Sequence, residues 1–219
     1  MAQTLAISKE FTSLAAVAER FNLAYATDKE FFTEWFEALP PLSEADRATL
    51  HHIQQRFLEH RNRGFLAEGT VDKLIVSPLL DLAGLYEPKF TIRAEAAVEI
   101  LLPDRDEQLQ GRIDTLILQD RFWVLVIEAK NTALSLAVAI PQALTYMMSN
   151  PHPEHPAFGL VTNGDEFRFI KLLKQTDSTP LFDLSDSFSL MPPHRSRLDQ
   201  VLQILKRLQA VIPVGTTLT

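Results

Sequence analysis

Residues 111–130, GRIDTLILQDRFWVLVIEAK, read as two β-rich runs around a short polar break. Gly111 to Leu118 and Phe122 to Ile127 are dominated by β-branched, aromatic and aliphatic residues, and Gln119-Asp120-Arg121 between them predicts a hairpin turn. Side chains alternate along a strand, so Asp114, Leu116 and Leu118 share one face of the first run, while Val124, Val126, Glu128 and Lys130 share one face of the second. The two carboxylates therefore approach each other across the open end of the hairpin. Alone they repel. A hard divalent cation such as Mg²⁺ satisfies both, because it takes carboxylate and carbonyl oxygens and keeps waters for a phosphate; Mn²⁺ suits the same oxygens. The carbonyl of Ala129 supplies one further oxygen.

Lys130 follows an apolar strand, where an ammonium without a partner is costly. Beside two carboxylates and a phosphate it orients or helps deprotonate an attacking water, or stabilises charge developing on the phosphorus oxygens. The same triplet reads equally as a Glu128–Lys130 surface pair at a sheet edge.

Working upstream, apolar residues recur at helical spacing from Phe11 to Tyr25, and Asp28 to Leu39 repeats the pattern through Phe31, Phe32, Trp35 and Phe36. Pro40-Pro41 ends that segment, and Ser43 with Asp46 predicts a capped helix running to about Asn62. Glu68 to Leu82 predicts another helix, kinked or divided at Pro78. Phe90, Ile92, Ala94 and Ala96 then alternate as a strand, the extended run continues to Leu102, and Pro103-Asp104-Arg105-Asp106 marks a turn.

Downstream, Leu134 to Ser149 is apolar enough for a helix packed on the sheet, with Pro141 near its first turn or kinking it. Phe158 to Thr162 and Phe167 to Leu172 predict a strand pair across Asn163-Gly164-Asp165. Pro180 to Pro193 reads as a loop and Arg197 to Val211 as an amphipathic helix. The expected architecture is α/β, a mixed central sheet flanked by helices. Residues 1–62 form a helical extension, 63–180 the core, and 181–219 a loop and C-terminal helix packing on that core.

With 219 residues, 46% of them hydrophobic, the chain can fill one main core. No cysteine is present, which excludes disulfides, thiolate metal sites and Cys nucleophiles. The formal net charge of −7 argues against indiscriminate attraction to nucleic acid, yet it permits a local basic groove. The first residues lack the basic flank and apolar core of a secretion signal, and the stretch Asn131 to Asn150 is a poor bilayer span, so a cytoplasmic protein without a membrane partner is expected. No Gly-x-x-x-x-Gly-Lys-(Ser/Thr) run occurs, and ATP is not expected as a partner. The histidines add no metal site at diagnostic spacing.

Gln142 and Tyr146 stand four apart on one helical face, able to reach the metal site or a nucleic-acid backbone; Tyr146 also reads as a core aromatic and Gln142 as a solvent residue. Glu68 reads both as a site acid and as a first-turn acid favoured by the helix dipole.

Taken in order, these residues resemble the PD-(D/E)XK nuclease superfamily, and within it the amino-terminal nuclease domain of type I restriction enzyme R subunits. The resemblance rests on EGTVDKLIVSPLLDLAGL from Glu68, on GRIDTLIL around Asp114, on VLVIEAKN around Glu128-Ala129-Lys130, and on QALTY with Gln142 and Tyr146. It covers about Ala67 to Leu172. Ile113 stands where the motif's proline would be. The resemblance implies a restriction-endonuclease-like fold and a Mg²⁺-dependent DNA endonuclease serving restriction or DNA defence. It makes Asp114, Glu128 and Ala129 the metal-binding residues and Lys130 the support of the nucleophile, while Glu68, Gln142 and Tyr146 orient water, metal or DNA. A second copy or other protein subunits are further implied partners. A noncatalytic nucleic-acid-binding or partner-binding protein on the same scaffold is the competing reading, and the metal centre alone does not separate DNA from RNA cleavage.

Overall fold

The computed structural model describes residues 3–102, 106–120, 122–174 and 178–211. The expected turn at 103–106 therefore lies mostly outside the described residues, as does Arg121 of the hairpin turn.

Strand β1 (Gln3–Ala6) runs straight into the single turn α1 (Ile7–Glu10), followed by α2 (Leu14–Phe21) and the short β2 (Ala24–Tyr25). The Ser13 side chain caps α2 by accepting the Ala16 N–H at 3.2 Å, and Asn22 ends it in the left-handed region at φ 51°. The expected helix over 28–39 does not form. Its backbone closes in separate turns, with Asp28 accepting the Glu30 N–H and the Thr33 carbonyl accepting from Phe36 and Glu37. Phe32 is buried, and Phe31 and Trp35 pack partly buried against the same core cluster. The aromatic spacing that resembled a helix face serves this wedge, in which tertiary packing outweighs local period.

Helix α3 (Glu44–Arg61) starts at the predicted capping box, in which Ser43 and Asp46 satisfy each other's backbone N–H groups. Helix α4 (Glu68–Val71), a π turn (Asp72–Val76) and α5 (Ser77–Leu82) run on without a break. Pro78 has no N–H for the carbonyl four residues back, and the backbone widens into the π turn just before it.

The remaining elements are β3 (Phe90–Leu102), β4 (Glu107–Gln119), β5 (Phe122–Ala129), α6 (Ala139–Met148), β6 (Ala157–Thr162), β7 (Glu166–Leu173), β8 (Leu181–Leu184), β9 (Phe188–Ser189) and α7 (Leu198–Val211). They build one nine-stranded mixed sheet in the order β1-β4-β5-β6-β7-β8-β2, with β3 on β4 and β9 on β7. The hairpins are antiparallel; β5 and β6, joined through α6, are parallel, as are β1 with β4 and β2 with β8. At the β6–β7 turn Gly164 has φ 85°, and a Cβ there would lie 2.5 Å from the Phe57 ring, so both backbone and space require glycine.

Two departures from the sequence reading concern the flanks. The stretch expected as a helical extension also contributes β1 and β2, and the expected loop at 180–193 contributes β8 and β9, with Phe182, Phe188 and Leu190 buried. These strands are two to four residues long, too short to show a period.

Helices cover both faces, as the apolar strands require. Ile117, Leu125, Ile127, Leu160 and Phe169 pack with α3, α5 and α7, while Leu116, Val126, Val161 and Ile170 pack with α1, α2 and α6. The β4–β5 register shifts between Ile117 and Leu118, where Val124 is the extra residue of a bulge. Val124 consequently packs with Leu125 in the first cluster, and not beside Val126 as strict alternation predicts.

Candidate active site

The paired ladder of β4 and β5 ends at Thr115 opposite Ile127. The next positions are Asp114 and Glu128, which stand across the fork from each other on the side of the sheet shared by Leu116 and Val126. Beyond the fork, β5 continues along β6, with Ala129 opposite Thr162 and the Lys130 N–H donating to the Thr162 carbonyl at 2.8 Å. That edge of β4 is taken up again only at Gln110, by β1. The Asp114 carboxylate substitutes for the lost ladder bond by accepting the Ala129 N–H at 2.7 Å. Both acids are thus held by the sheet itself.

Glu128 is fully buried. One carboxylate oxygen pairs with the Lys130 ammonium, and the other is buried with no hydrogen-bond partner. Lys130 Nζ also lies 3.7 Å from Glu68 at the first turn of α4, so the helical acid joins the group. Two of the four charged side chains, Glu68 and Asp114, line a cleft of about 280 Å³ together with Gly69, Asp72, Thr115 and Ala129.

Three acids share one ammonium, and the proton affinities show the imbalance. Burial, followed by the Asp114 charge, pushes Glu128 up to about 8 against the pull of Lys130. Burial and the Glu68 charge push Asp114 up to about 6, partly offset by the Ala129 N–H. Burial pulls Lys130 down, but Glu128, Glu68 and Asp114 together hold it above the ordinary lysine value, so it stays an ammonium.

Among the described residues no three His, Asp or Glu side chains are grouped to hold a metal. The donor set is instead two carboxylates, one with an unpartnered buried oxygen, at the edge of a cleft. That set fits Mg²⁺, which binds through one or two carboxylates and completes its octahedron with water and phosphate. Ala129 lines the same cleft, and its N–H is already committed to Asp114.

Gln142 and Tyr146 occupy α6 below the fork. Gln142 Nε2 donates to the Tyr146 hydroxyl at 2.9 Å, and Tyr146 is 1% exposed. The tyrosine is therefore a buried brace and does not face a nucleic-acid backbone. Burial raises its hydroxyl pKa, and the Glu128 charge adds to the rise, which places the ring within electrostatic reach of the site.

Asp72 escaped the sequence reading. It lines the cleft, its charge adds to the rise at Asp114, and its carboxylate accepts the Ser77 hydroxyl at 3.1 Å. Its position four residues after Glu68, on one helix face, was the available signal. Glu95 on β3 also lines the cleft, in the left-handed region at φ 49°, and no sequence pattern announced it.

A mixed sheet covered by helices on both faces, with acids at the open end of its central hairpin, defines an α/β protein of the restriction-endonuclease-like class. Residues 10–178 match the family described as Type I restriction enzyme R protein N terminus, and the chain belongs to that family. No curated protein matches the chain. No helix among the described residues is long and apolar enough to cross a membrane.

Proposed function

We propose that the chain is a divalent-metal-dependent DNA endonuclease acting in restriction or DNA defence. The observation that carries this reading is the juxtaposition at the fork: Asp114 and Glu128 on one side of the sheet, an unpartnered Glu128 oxygen, and Lys130 on the same carboxylate. Asp114 and Glu128, with the Ala129 carbonyl, would hold Mg²⁺ or Mn²⁺. When bound, the cation supplies Lewis-acid polarisation of the phosphate and lowers the pKa of a water.

The chain's own residues perform the remaining work. The Asp114 carboxylate is fixed by the Ala129 N–H and the Glu128 carboxylate by Lys130, so neither must reorganise during the reaction. The Lys130 ammonium, held charged among the acids, offers its protons to a phosphate oxygen as negative charge grows there. Glu68, half-exposed and 3.7 Å from that ammonium, orients it and faces incoming solvent. Tyr146 and Gln142 hold the floor under the fork.

Purified protein and Asp114→Ala, assayed with Mg²⁺ or Mn²⁺ on duplex and single-stranded DNA and on RNA, test the proposal. Metal-dependent cleavage by the unaltered chain and its loss in the variant are expected. Equal cleavage by both, or cleavage of no nucleic acid, removes the catalytic reading and leaves the noncatalytic scaffold.

A further inference from the structure

We infer that Phe65 is a base-stacking platform on the lip formed by the loop leading into α4, with the exposed Arg63 beside it placed to hold the sugar-phosphate strand. This rests on the nucleic-acid substrate proposed above. The ring is 74% exposed, an unusual position for a phenylalanine, and it sits three residues before Glu68.

The loop carrying it is fastened on both sides. The Leu66 N–H donates to the Thr132 hydroxyl at 2.9 Å, and the Thr132 N–H returns to the Leu66 carbonyl at 3.1 Å, two residues beyond Lys130. Arg61 Nε donates to both carboxylate oxygens of Asp165, at 3.0 and 3.2 Å. Gly64, at φ 147° with open space around it, makes the turn that leaves the ring outside. A ring on a pinned loop loses little entropy when a partner stacks on it.

Charge selects the partner. The Arg61 charge is met by Asp165, but Arg63 is exposed and no acid lies between His60 and the ring in a chain of net charge −7. The Arg61 guanidinium carbon lies 5.3 Å from the ring centroid, so one face already bears a cation and the rest of the ring stays open. Through the Leu66–Thr132 bridge the lip stands on the order of 10 Å from Lys130, a separation of one or two nucleotides along an extended single strand. A phosphate at the fork therefore brings a neighbouring base within reach of Phe65. Base–aromatic stacking of this kind needs an unpaired base, so the lip favours single-stranded segments or frayed ends.

The experiment uses the full chain in EDTA, so that nothing is cleaved. Its probe is a single-stranded DNA oligonucleotide carrying 2-aminopurine, with the same sequence as duplex for comparison. Phe65→Ala should weaken single-strand binding about tenfold or more and abolish the 2-aminopurine quenching, with Phe65→Trp retaining both and circular dichroism unchanged. Unaltered binding and quenching in Phe65→Ala overturn the inference. So does a change confined to self-association on size exclusion, which would make the ring a protein contact. The nuclease reading is judged separately by Asp114-dependent cleavage. Cleavage without Phe65-dependent binding sinks only the platform, while Phe65-dependent binding without cleavage sinks only the nuclease; no binding to any nucleic acid in EDTA sinks the platform and leaves the nuclease to the cleavage assay.

Discussion

The Tyr146 ring lies across the backbone of Gly111, so near that a Cβ at residue 111 would stand 2.7 Å from Cε1 and 2.9 Å from the hydroxyl. Gly111 is three residues before Asp114 on β4, so the contact couples α6 to the strand that carries the first acid. Gly111→Ala should displace the ring or the strand and cost about 1–3 kcal/mol of unfolding free energy. Tyr146→Phe keeps the ring and loses the hydroxyl's interactions with Gln142 and the Arg112 backbone, at about 1 kcal/mol. Urea denaturation of both variants measures the difference. Equal, negligible losses would show that the fork does not depend on this contact.

The raised affinity of Asp114 for protons has a consequence for stability without metal. Its folded pKa of about 6 lies above the unfolded value near 3.8, so the folded state binds more protons between these limits. Stability from this group is present below about pH 4 and is lost as pH rises to about 6 and beyond. Asp114→Asn removes the charge and keeps an oxygen for the Ala129 N–H. In EDTA at pH 8 the variant should be more stable than the unaltered chain by about 1–2 kcal/mol, with the gap closing near pH 4. Excess Mn²⁺ should stabilise the unaltered chain and leave the variant unmoved. Thermal melts at these pH values, with and without Mn²⁺, read both effects.

Asp46 behaves oppositely. Its hydrogen bond from Lys206, followed by that from the Ser43 N–H, lowers its pKa. The stabilisation is therefore present above the unfolded carboxylate value and is lost as pH falls through the lower folded one. Asp46→Ala should cost about 1 kcal/mol at neutral pH, through the capping box and the tie from α7 to α3, and less at acid pH, where the carboxylate takes up its proton. Denaturation at the two pH values checks it.

The contrast between these positions marks what the sequence made legible. Asp46 was visible because a capping box is a local pattern four residues long. Asp114 and Glu128 were visible because alternation on a hairpin needs only the turn, and the bulge at Val124 lies on the turn side of both acids and leaves their pairing intact. The strands β1, β2, β8 and β9 were hidden, since two to four residues carry no period and all their pairings except β7 with β8 are parallel or distant in sequence. The wedge of Phe31, Phe32 and Trp35 misled because aromatic spacing suits a helix face and a core plug alike. The Tyr146–Gly111 contact was beyond sequence reading altogether: it is a matter of separation between α6 and β4.

Lys130 offers the sharpest division of roles. Lys130→Met keeps the aliphatic stem and removes the ammonium, leaving both Glu128 oxygens without their charged partner in a fully buried position. Glu128 should then hold its proton to higher pH, because the pull that Lys130 exerts against burial and Asp114 is gone. Two losses follow, weaker Mn²⁺ binding at pH 7 and a fall of about 10²–10³ in single-turnover cleavage, of which raising the pH should recover only the first. Glu68→Gln acts on a half-exposed carboxylate 3.7 Å from the ammonium and should cost less than about tenfold, with metal binding retained. Were Lys130→Met to recover full cleavage at pH 9, the ammonium would only be keeping Glu128 ionised and would have no part in stabilising the reacting phosphate.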